Sequence, residues 1–308
     1  MNKELLYSLK SPFRDDFQIH GFRFGSAKKT VAVVGAMRGD EIQQQFVCSQ
    51  LVNALMEIED VGGISDDFGI LVVPSANHFA MNIGKRFWAM DNTDINRMFP
   101  GYNKGETTQR IAAALFEHLQ GYEYGIQLAS FYMSGDFIPH IRVMDTGYQD
   151  IEGAKLFGMP YVAIRKPKPY DTTLLNYNWQ IWETKAYSLY AGQTSTIDMH
   201  SARESVWAIL RFLSRIGAID YKTHSGFMSE VLHEEELLVV KARKSGIFYR
   251  IRKPDDMVRK NEVIAKILDP YDGTVRSEVL APEKGTIFFM HNKPLVHENT
   301  LTVRMIKG

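Results

Sequence analysis

The sequence is poor in cysteine and carries no excess charge of either sign. Its single cysteine, Cys48, excludes an internal disulfide and a zinc site built from thiolates. Lysine and arginine together number 36, as do aspartate and glutamate, so no long-range field would attract nucleic acid or an anionic membrane. The composition therefore favours a small-molecule ligand or a protein partner, and it leaves homo-oligomerisation open.

Long apolar runs are also absent. Segment 1–17 carries a charge every few positions and has no apolar stretch of the length that a signal peptide needs. No later stretch is long and apolar enough to span a bilayer. Because 45% of the residues are hydrophobic, the chain has the composition of a globular protein, and we expect it to be cytoplasmic.

Short apolar runs alternate with helical patterns over the first 225 residues. The patterns predict strands at 30–35, 69–74, 125–128, 161–165 and 195–199, and helices at 41–58, 106–119 and 205–216. Strands separated by helices indicate a mostly parallel sheet that is covered by helices on both faces. The sequence therefore predicts an α/β domain over residues 1–225.

After residue 225 the pattern changes to short alternating strands separated by glycines. Segment 242–248 is echoed by segment 281–287, and the strands that follow each segment have similar spacing. This degenerate repeat resembles the β-sandwich of lipoyl and biotinyl carrier domains, but the turn at 269–273 lacks their modifiable lysine. We predict an all-β barrel-sandwich domain over residues 226–308, with an accessory role as a lid or an assembly module.

Basic and amide side chains cluster in the segments that follow the first two strands. Arg86 precedes Asn96 and Arg97, which stand directly before Phe99-Pro-Gly. A guanidinium offers a planar fork of donors to a carboxylate, and a neighbouring amide adds a directional hydrogen bond. Taken alone, Arg97 also fits a loop arginine stacked on Phe99 and paired with Asp94. The three residues together favour the binding of a carboxylate-bearing small molecule.

These segments resemble the succinylglutamate desuccinylase/aspartoacylase family, which has a zinc carboxypeptidase-like fold. The family motif Gly-x-x-His-Gly-x-Glu, whose histidine and glutamate bind zinc, is similar to segment 35–41, with Arg38 and Glu41 at the ligand positions. The third ligand, a histidine in Asp-Leu-His, matches segment 127–129 and falls on Ala129. By this resemblance, only Glu41 remains of the three zinc ligands. The resemblance therefore implies a degenerate zinc site.

The resemblance also implies roles for the remaining site residues. Arg86 would polarise the scissile carbonyl, while Asn96 and Arg97 would grip the substrate carboxylate. The family's catalytic glutamate lies in Thr-x-Glu-x-Gly, and the match at segment 196–200 places Asp198 in its position. By resemblance, the chain would be a deacylase-like hydrolase of a small N-acyl amino acid or a peptide end.

Zinc is the cofactor that the resemblance implies, and the residues themselves predict that it is absent or weakly held. An arginine keeps its proton in a protein, so Arg38 would repel a dication and form an ion pair with Glu41 or Asp40. The alternative is a metal site relocated among three histidines and four carboxylates near the strand ends, namely His78, His140, His200, Asp40, Glu41, Asp136 and Asp198.

Three functions are compatible with the sequence. The first is an amide hydrolase with an altered or metal-free site, in which Asp198 and Arg86 are catalytic. The second is a non-catalytic protein that binds a carboxylate ligand through Arg86, Asn96 and Arg97. The third is a structural scaffold, against which the retained carboxylate-binding residues argue.

Overall fold

The computed structural model describes residues 1–131 and 133–308, which divide into two compact units. The first unit comprises Met1–Ser130 and Pro139–Val231, and the second comprises Phe131–Ile138 and Leu232–Gly308. In chain order the strands and α-helices are β1 (Asn2–Leu9), β2 (Phe17–Gly25), β3 (Val31–Ala36), α1 (Ile42–Asp60), β4 (Gly69–Ser75), α2 (His78–Asn82), α3 (Thr107–Leu119), β5 (Tyr124–Ala129), β6 (Gly135–Phe137), β7 (His140–Met144), α4 (Ile151–Lys155), β8 (Tyr161–Arg165), α5 (Leu175–Ile181), β9 (Lys185–Tyr190), α6 (Met199–Arg215), β10 (Glu230–His233), β11 (Leu238–Lys241), β12 (Gly246–Arg250), β13 (Met257–Val258), β14 (Val263–Leu268), β15 (Val275–Leu280), β16 (Gly285–His291), β17 (Leu295–Val296) and β18 (Leu301–Lys307).

This division differs from the sequence-based boundary after residue 225 in two ways. Residues 226–231 stay with the first unit, since the backbone N–H groups of Phe227 and Glu230 donate to the carbonyls of Gly158 and Pro160. Segment Phe131–Ile138 joins the second unit, because β6 pairs antiparallel with β16. Neither long-range pairing leaves a periodic signal in the local sequence.

Among the described residues, the first unit is built on a nine-stranded sheet in the order β1-β2-β4-β3-β5-β9-β7-β8-β10. Its centre, β4-β3-β5-β9, is parallel, which confirms the predicted α/β class. Every residue of β3 is buried, and its side chains alternate between two apolar cores. Helices α1 and α6 contribute to one core and α3 and α5 to the other, so helices cover both faces of the sheet.

The predicted strand at 195–199 is wrong. The run Ser-Thr-Ile after Thr194 suggested a strand because β-branched residues favour strands. The last parallel strand is instead β9, and Asp198 forms the N-cap of α6. The antiparallel strands β1 and β2 were not predicted either, since the burial of β2 alternates and its sequence contains no continuous apolar run.

The second unit confirms the internal repeat. Strands β12, β13 and β14 in the first half correspond in order and length to β16, β17 and β18 in the second. The short strands cross between halves, because β13 pairs with β16 and β17 pairs with β12. The turn between β14 and β15 carries Tyr271 at its tip, where it is 96% exposed.

No helix among the described residues has the length and apolar character needed to cross a membrane.

Candidate functional site

The loop between β3 and α1 carries Arg38 and Glu41 beyond the carboxyl end of a central parallel strand. Two glycines, one near the end of β3 and one in the loop, allow this segment to lie close to neighbouring backbone. A Cβ atom on Gly35 would lie 2.3 Å from the Pro74 carbonyl oxygen, and one on Gly39 would lie 2.3 Å from the Lys85 carbonyl oxygen. Ligands of open α/β sheets bind at the carboxyl ends of strands, so the loop lies where a ligand is expected.

Arg38 lies between two carboxylates in this loop region. Its Nη1 donates to Oε1 of Glu41 at 2.9 Å, and its Nε and Nη2 donate to Oδ2 of Asp94 at 3.0 and 2.9 Å. The side chains of Arg38 and Asp94 are each 11% exposed, and that of Glu41 is 2% exposed. Burial lowers the pKa of the Arg38 guanidinium, but the two carboxylates outweigh burial, and the net pKa is raised. Arg38 is therefore a fixed cation, and the predicted pair with Glu41 is confirmed.

Both carboxylate oxygens of Glu41 are occupied by donors. Oε2 accepts the backbone N–H groups of Met37 and Arg38 at 2.8 and 3.0 Å. Oε1 accepts Nη1 of Arg38 at 2.9 Å and the hydroxyl of Ser130 at 2.6 Å. A carboxylate has about four lone-pair sites, so a metal ion at Glu41 would have to displace donors that are already bound.

Ala129 ends β5 and offers only a methyl group where the family motif has its third ligand. The residues at the three ligand positions therefore do not fit zinc, because one is a cation, one is a methyl group and the third is held by four donors. Within residues 1–131 and 133–308, no three or more histidine, cysteine, aspartate or glutamate side chains are placed to hold a metal ion.

The histidines proposed for a relocated site lie in different surroundings. His78 stacks on Phe17 with ring centroids 4.8 Å apart, and His140 stacks on Tyr190 at 5.0 Å. His200 is exposed at the start of α6. The structure does not bring these imidazoles together as one ligand set.

One candidate carboxylate-binding arginine contacts the β3–α1 loop directly, and the other is linked to it through Asp94. Nη1 of Arg86 donates to Oδ2 of Asp40 at 2.6 Å, and Nε of Arg97 lies 3.7 Å from the Asp94 carboxylate that holds Arg38. The side chains of Arg86 and Arg97 are 29% and 34% exposed, so ligand can reach both.

Asn96 joins its loop to β5, and Arg97 joins the same loop to the segment before α5. Oδ1 of Asn96 accepts Nε2 of Gln127 at 3.2 Å, and Nη1 of Arg97 donates to the Tyr170 carbonyl at 2.9 Å. The Arg97 guanidinium lies 5.6 Å from the Tyr170 ring centroid, while Phe99 packs instead against Phe116. Of the purely structural alternative for Arg97, the pairing with Asp94 is found, whereas the aromatic contact is with Tyr170 and not with Phe99.

Asp198 lies near the same end of the sheet, where it caps α6. Its carboxylate accepts the backbone N–H of His200 at 3.1 Å and the hydroxyl of Ser201. Its own backbone N–H and carbonyl both bond the side chain of Gln43, in the first turn of α1. Burial raises the pKa of the Asp198 carboxyl, but the bonds from Ser201 and His200 outweigh it and the net pKa is lowered. In this structure the carboxylate serves as a helix cap.

Tyr190 is a site residue that sequence reasoning missed. Segment 188–192, Ser-Leu-Tyr-Ala-Gly, spans the end of a parallel strand and shares only its glycine with Thr-x-Glu-x-Gly, and that alignment puts Tyr190 at the glutamate position. Its register partners are Ala129 on β5 and His140 on β7. Nη1 of Arg142 donates to the Tyr190 hydroxyl at 2.5 Å, and the guanidinium lies 4.1 Å from the ring centroid. Strand register, rather than the type of residue, would have identified this position.

Comparison with known proteins places this arrangement in a family. Over 141 residues the chain is 32% identical to the N-alpha-acetyl-L-2,4-diaminobutyric acid deacetylase of Halomonas elongata. That match covers 44% of this chain and 40% of the deacetylase, so it spans less than half of the relative's length.

Solved structures share the fold over nearly the whole chain. The product-bound ectoine utilization protein EutE of Ruegeria pomeroyi superposes with a TM-score of 0.78 at 17% identity, covering 94% of this chain and 89% of that one. A succinylglutamate desuccinylase from Silicibacter sp. gives a TM-score of 0.80 at 18% identity, covering 98% and 92%.

The model of the succinylglutamate desuccinylase/aspartoacylase catalytic domain matches residues 27–216. The matched range is more than half of the 308 residues and includes every candidate site residue described above. The chain therefore belongs to the succinylglutamate desuccinylase/aspartoacylase family.

Proposed function

We propose that this chain binds a small carboxylate-bearing N-acyl amino acid or peptide end, and that it does so without hydrolysing the amide by zinc-bound hydroxide. The observation that carries this proposal is the position of Arg38 between Glu41 and Asp94. A guanidinium held by two carboxylates occupies the place where the family binds a dication, and it already uses the charge of the one carboxylate that remains from the ligand set.

The zinc route needs a metal-bound water whose pKa is lowered to about 7. Arg38 holds the family's remaining zinc-binding carboxylate, Glu41, and Ala129 cannot coordinate a metal. Tyr190 and Asp198 are the two candidates for the general-base position. The Tyr190 hydroxyl accepts a hydrogen bond from Arg142, and the Asp198 carboxylate is engaged as a helix cap, so both oxygens already have donors where a base would take a proton from water.

Ligand binding is supported by the residues that remain. Arg86 pairs with Asp40 in the loop that follows β3, Arg97 lies 3.7 Å from Asp94, and both side chains are partly exposed, as carboxylate binding requires. The nature of the ligand is supported by the family, which is named for succinylglutamate and acylaspartate substrates, and by the relative named for N-alpha-acetyl-L-2,4-diaminobutyric acid.

The test combines calorimetry with product analysis on the purified wild-type chain. N-succinyl-L-glutamate, N-acetyl-L-aspartate and N-acetyl-L-2,4-diaminobutyrate serve as probes, and each bound sample is then incubated and examined by NMR for the free acid. We expect at least one probe to bind and to remain intact, with or without a chelator. Hydrolysis that a chelator abolishes, or failure of all three probes to bind, would contradict the proposal.

A further inference from the structure

Helix α5 contains two buried amide side chains whose hydrogen-bonding capacity is not met. Asn176 is 2% exposed and Gln180 is 1% exposed. Among the described residues, neither Oδ1 nor Nδ2 of Asn176 has a hydrogen-bond partner, and neither has Oε1 of Gln180. The two residues are four apart on the helix and therefore share a face.

The orientation of the Gln180 amide is fixed by its single bond. Nε2 of Gln180 donates to the carbonyl of Met144 on β7 at 3.1 Å. A carbonyl can only accept, so the nitrogen must face Met144 and the oxygen must face away from it. The unmet set on this face is consequently two acceptor oxygens and one amino group.

The start of this helix, rather than the amide face itself, contacts the segment that carries Asn96 and Arg97. Three hydrogen bonds join the start of α5 and its preceding loop to segment 96–99: Leu175 N to Asn96 Oδ1 at 3.4 Å, Phe99 N to Thr173 O at 3.0 Å and Arg97 Nη1 to Tyr170 O at 2.9 Å. Asn176 therefore directly follows Leu175, whose backbone N–H contacts Asn96. Helix α5 also packs on the sheet face of β9 and β5.

Native proteins pair their buried polar groups, so an unpaired set beside a candidate binding site indicates a missing partner. Resting on the proposed function, we propose that Asn176 and Gln180 form a subsite for a primary carboxamide at the end of the ligand's side chain. A carboxamide supplies two N–H donors for the two oxygens and one acceptor for the amino group.

Other polar groups fit this set less well. A carboxylate would place its oxygens against the two acceptor oxygens, and a hydroxyl has one donor for two acceptors. An ammonium group would be repelled by the like charge of Arg142, which lies on β7 two residues before Met144. The subsite therefore binds an uncharged side chain, while Arg97 and Arg86 bind the carboxylate.

Asn178 on the same helix provides a matched control. Its Nδ2 donates to the carbonyls of Thr172 and Leu174 at 3.0 and 2.9 Å. Replacing Asn178 with Leu removes satisfied bonds and should lower the melting temperature. Replacing Asn176 with Leu removes only unmet groups and should leave the melting temperature unchanged or raised.

The closing experiment measures affinity by calorimetry for N-acetyl-L-glutamine, N-acetyl-L-glutamate and N-acetyl-L-2,4-diaminobutyrate. We expect the wild type to prefer glutamine and Asn176→Leu to bind it about tenfold more weakly, as the loss of a hydrogen bond implies. The isosteric Asn176→Asp should shift preference toward the diaminobutyrate amine, which keeps the test open if the leucine variant does not fold. Unchanged glutamine affinity in the variants, or wild-type preference for glutamate, overturns the subsite. Failure of the wild type to bind any of the three overturns instead the proposed function on which it rests.

Discussion

Arg38 and Asp94 are 56 residues apart in sequence, and two N–H groups of one guanidinium bind a single carboxylate oxygen between them, at 3.0 and 2.9 Å. The same guanidinium binds Glu41. Arg38 therefore links the β3–α1 loop to the loop that carries Asn96 and Arg97. It thereby fixes the position of the loop that carries two of the candidate carboxylate-binding residues, Asn96 and Arg97.

The first prediction concerns stability. Replacing Arg38 with Ala should lower the free energy of unfolding by about 3 to 5 kcal/mol, because two largely buried carboxylates lose their cation. Urea denaturation of the variant and the wild type measures the difference.

Arg252→Ala is the control for that measurement. Arg252 pairs with Glu262 in the second unit, where its side chain is 43% exposed, so its loss should cost about 1 kcal/mol or less. Equal losses in the two variants would show that the Arg38 pairs do not hold the loops together.

The second prediction concerns ligand binding. Arg97→Ala should weaken the binding of an N-acyl amino acid by about 2 kcal/mol, the lower end of the range for a buried pair, because Arg97 is 34% exposed. Calorimetry on the variant gives this value, with Arg252→Ala again as the control. Affinity equal to that of the wild type would show that Arg97 does not bind the ligand carboxylate.

The third prediction concerns pH and Asp198. Asp198→Ala should lower the free energy of unfolding by about 1 kcal/mol at pH 7, as loss of an N-cap does. Despite burial, hydrogen bonds hold the folded pKa of the Asp198 carboxyl below its ordinary value of about 3.9. Its contribution is therefore fully present above that ordinary value and is lost as the pH falls through the folded pKa.

The difference in unfolding free energy between wild type and Asp198→Ala should therefore shrink as the pH is lowered below about 4. Denaturation curves collected between pH 7 and pH 2 test this. A difference that stays constant across the range would mean that the ionised carboxylate does not cap the helix.

The parallel core and the Arg38–Glu41 pair were predictable from sequence because both depend on local features. Continuous apolar runs mark the buried strands, and three residues separate Arg38 from Glu41 on one loop. Asp94 was assigned only to Arg97, and its stronger bond to Arg38 depends on how two distant loops meet. Asp40 was a candidate partner of Arg38 and instead binds Arg86.

The general-base position was harder to predict, because a search for a carboxylate favours Asp198 over Tyr190. The tyrosine becomes visible only through strand register, which places it beside Ala129. The unmet amides of Asn176 and Gln180 give no sequence signal at all, since an asparagine at a helix start usually indicates a cap or a turn. Such positions depend on packing and not on local pattern.

Zinc content is the most direct test of the central claim. Wild type, Glu41→Gln and Arg38→His/Ala129→His are purified without chelator, equilibrated with zinc, dialysed and measured by mass spectrometry of the metal. The double variant regains three ligands and should hold about one zinc ion per chain, whereas the wild type should hold almost none. About one tightly held zinc in the wild type that is lost in Glu41→Gln would contradict the account.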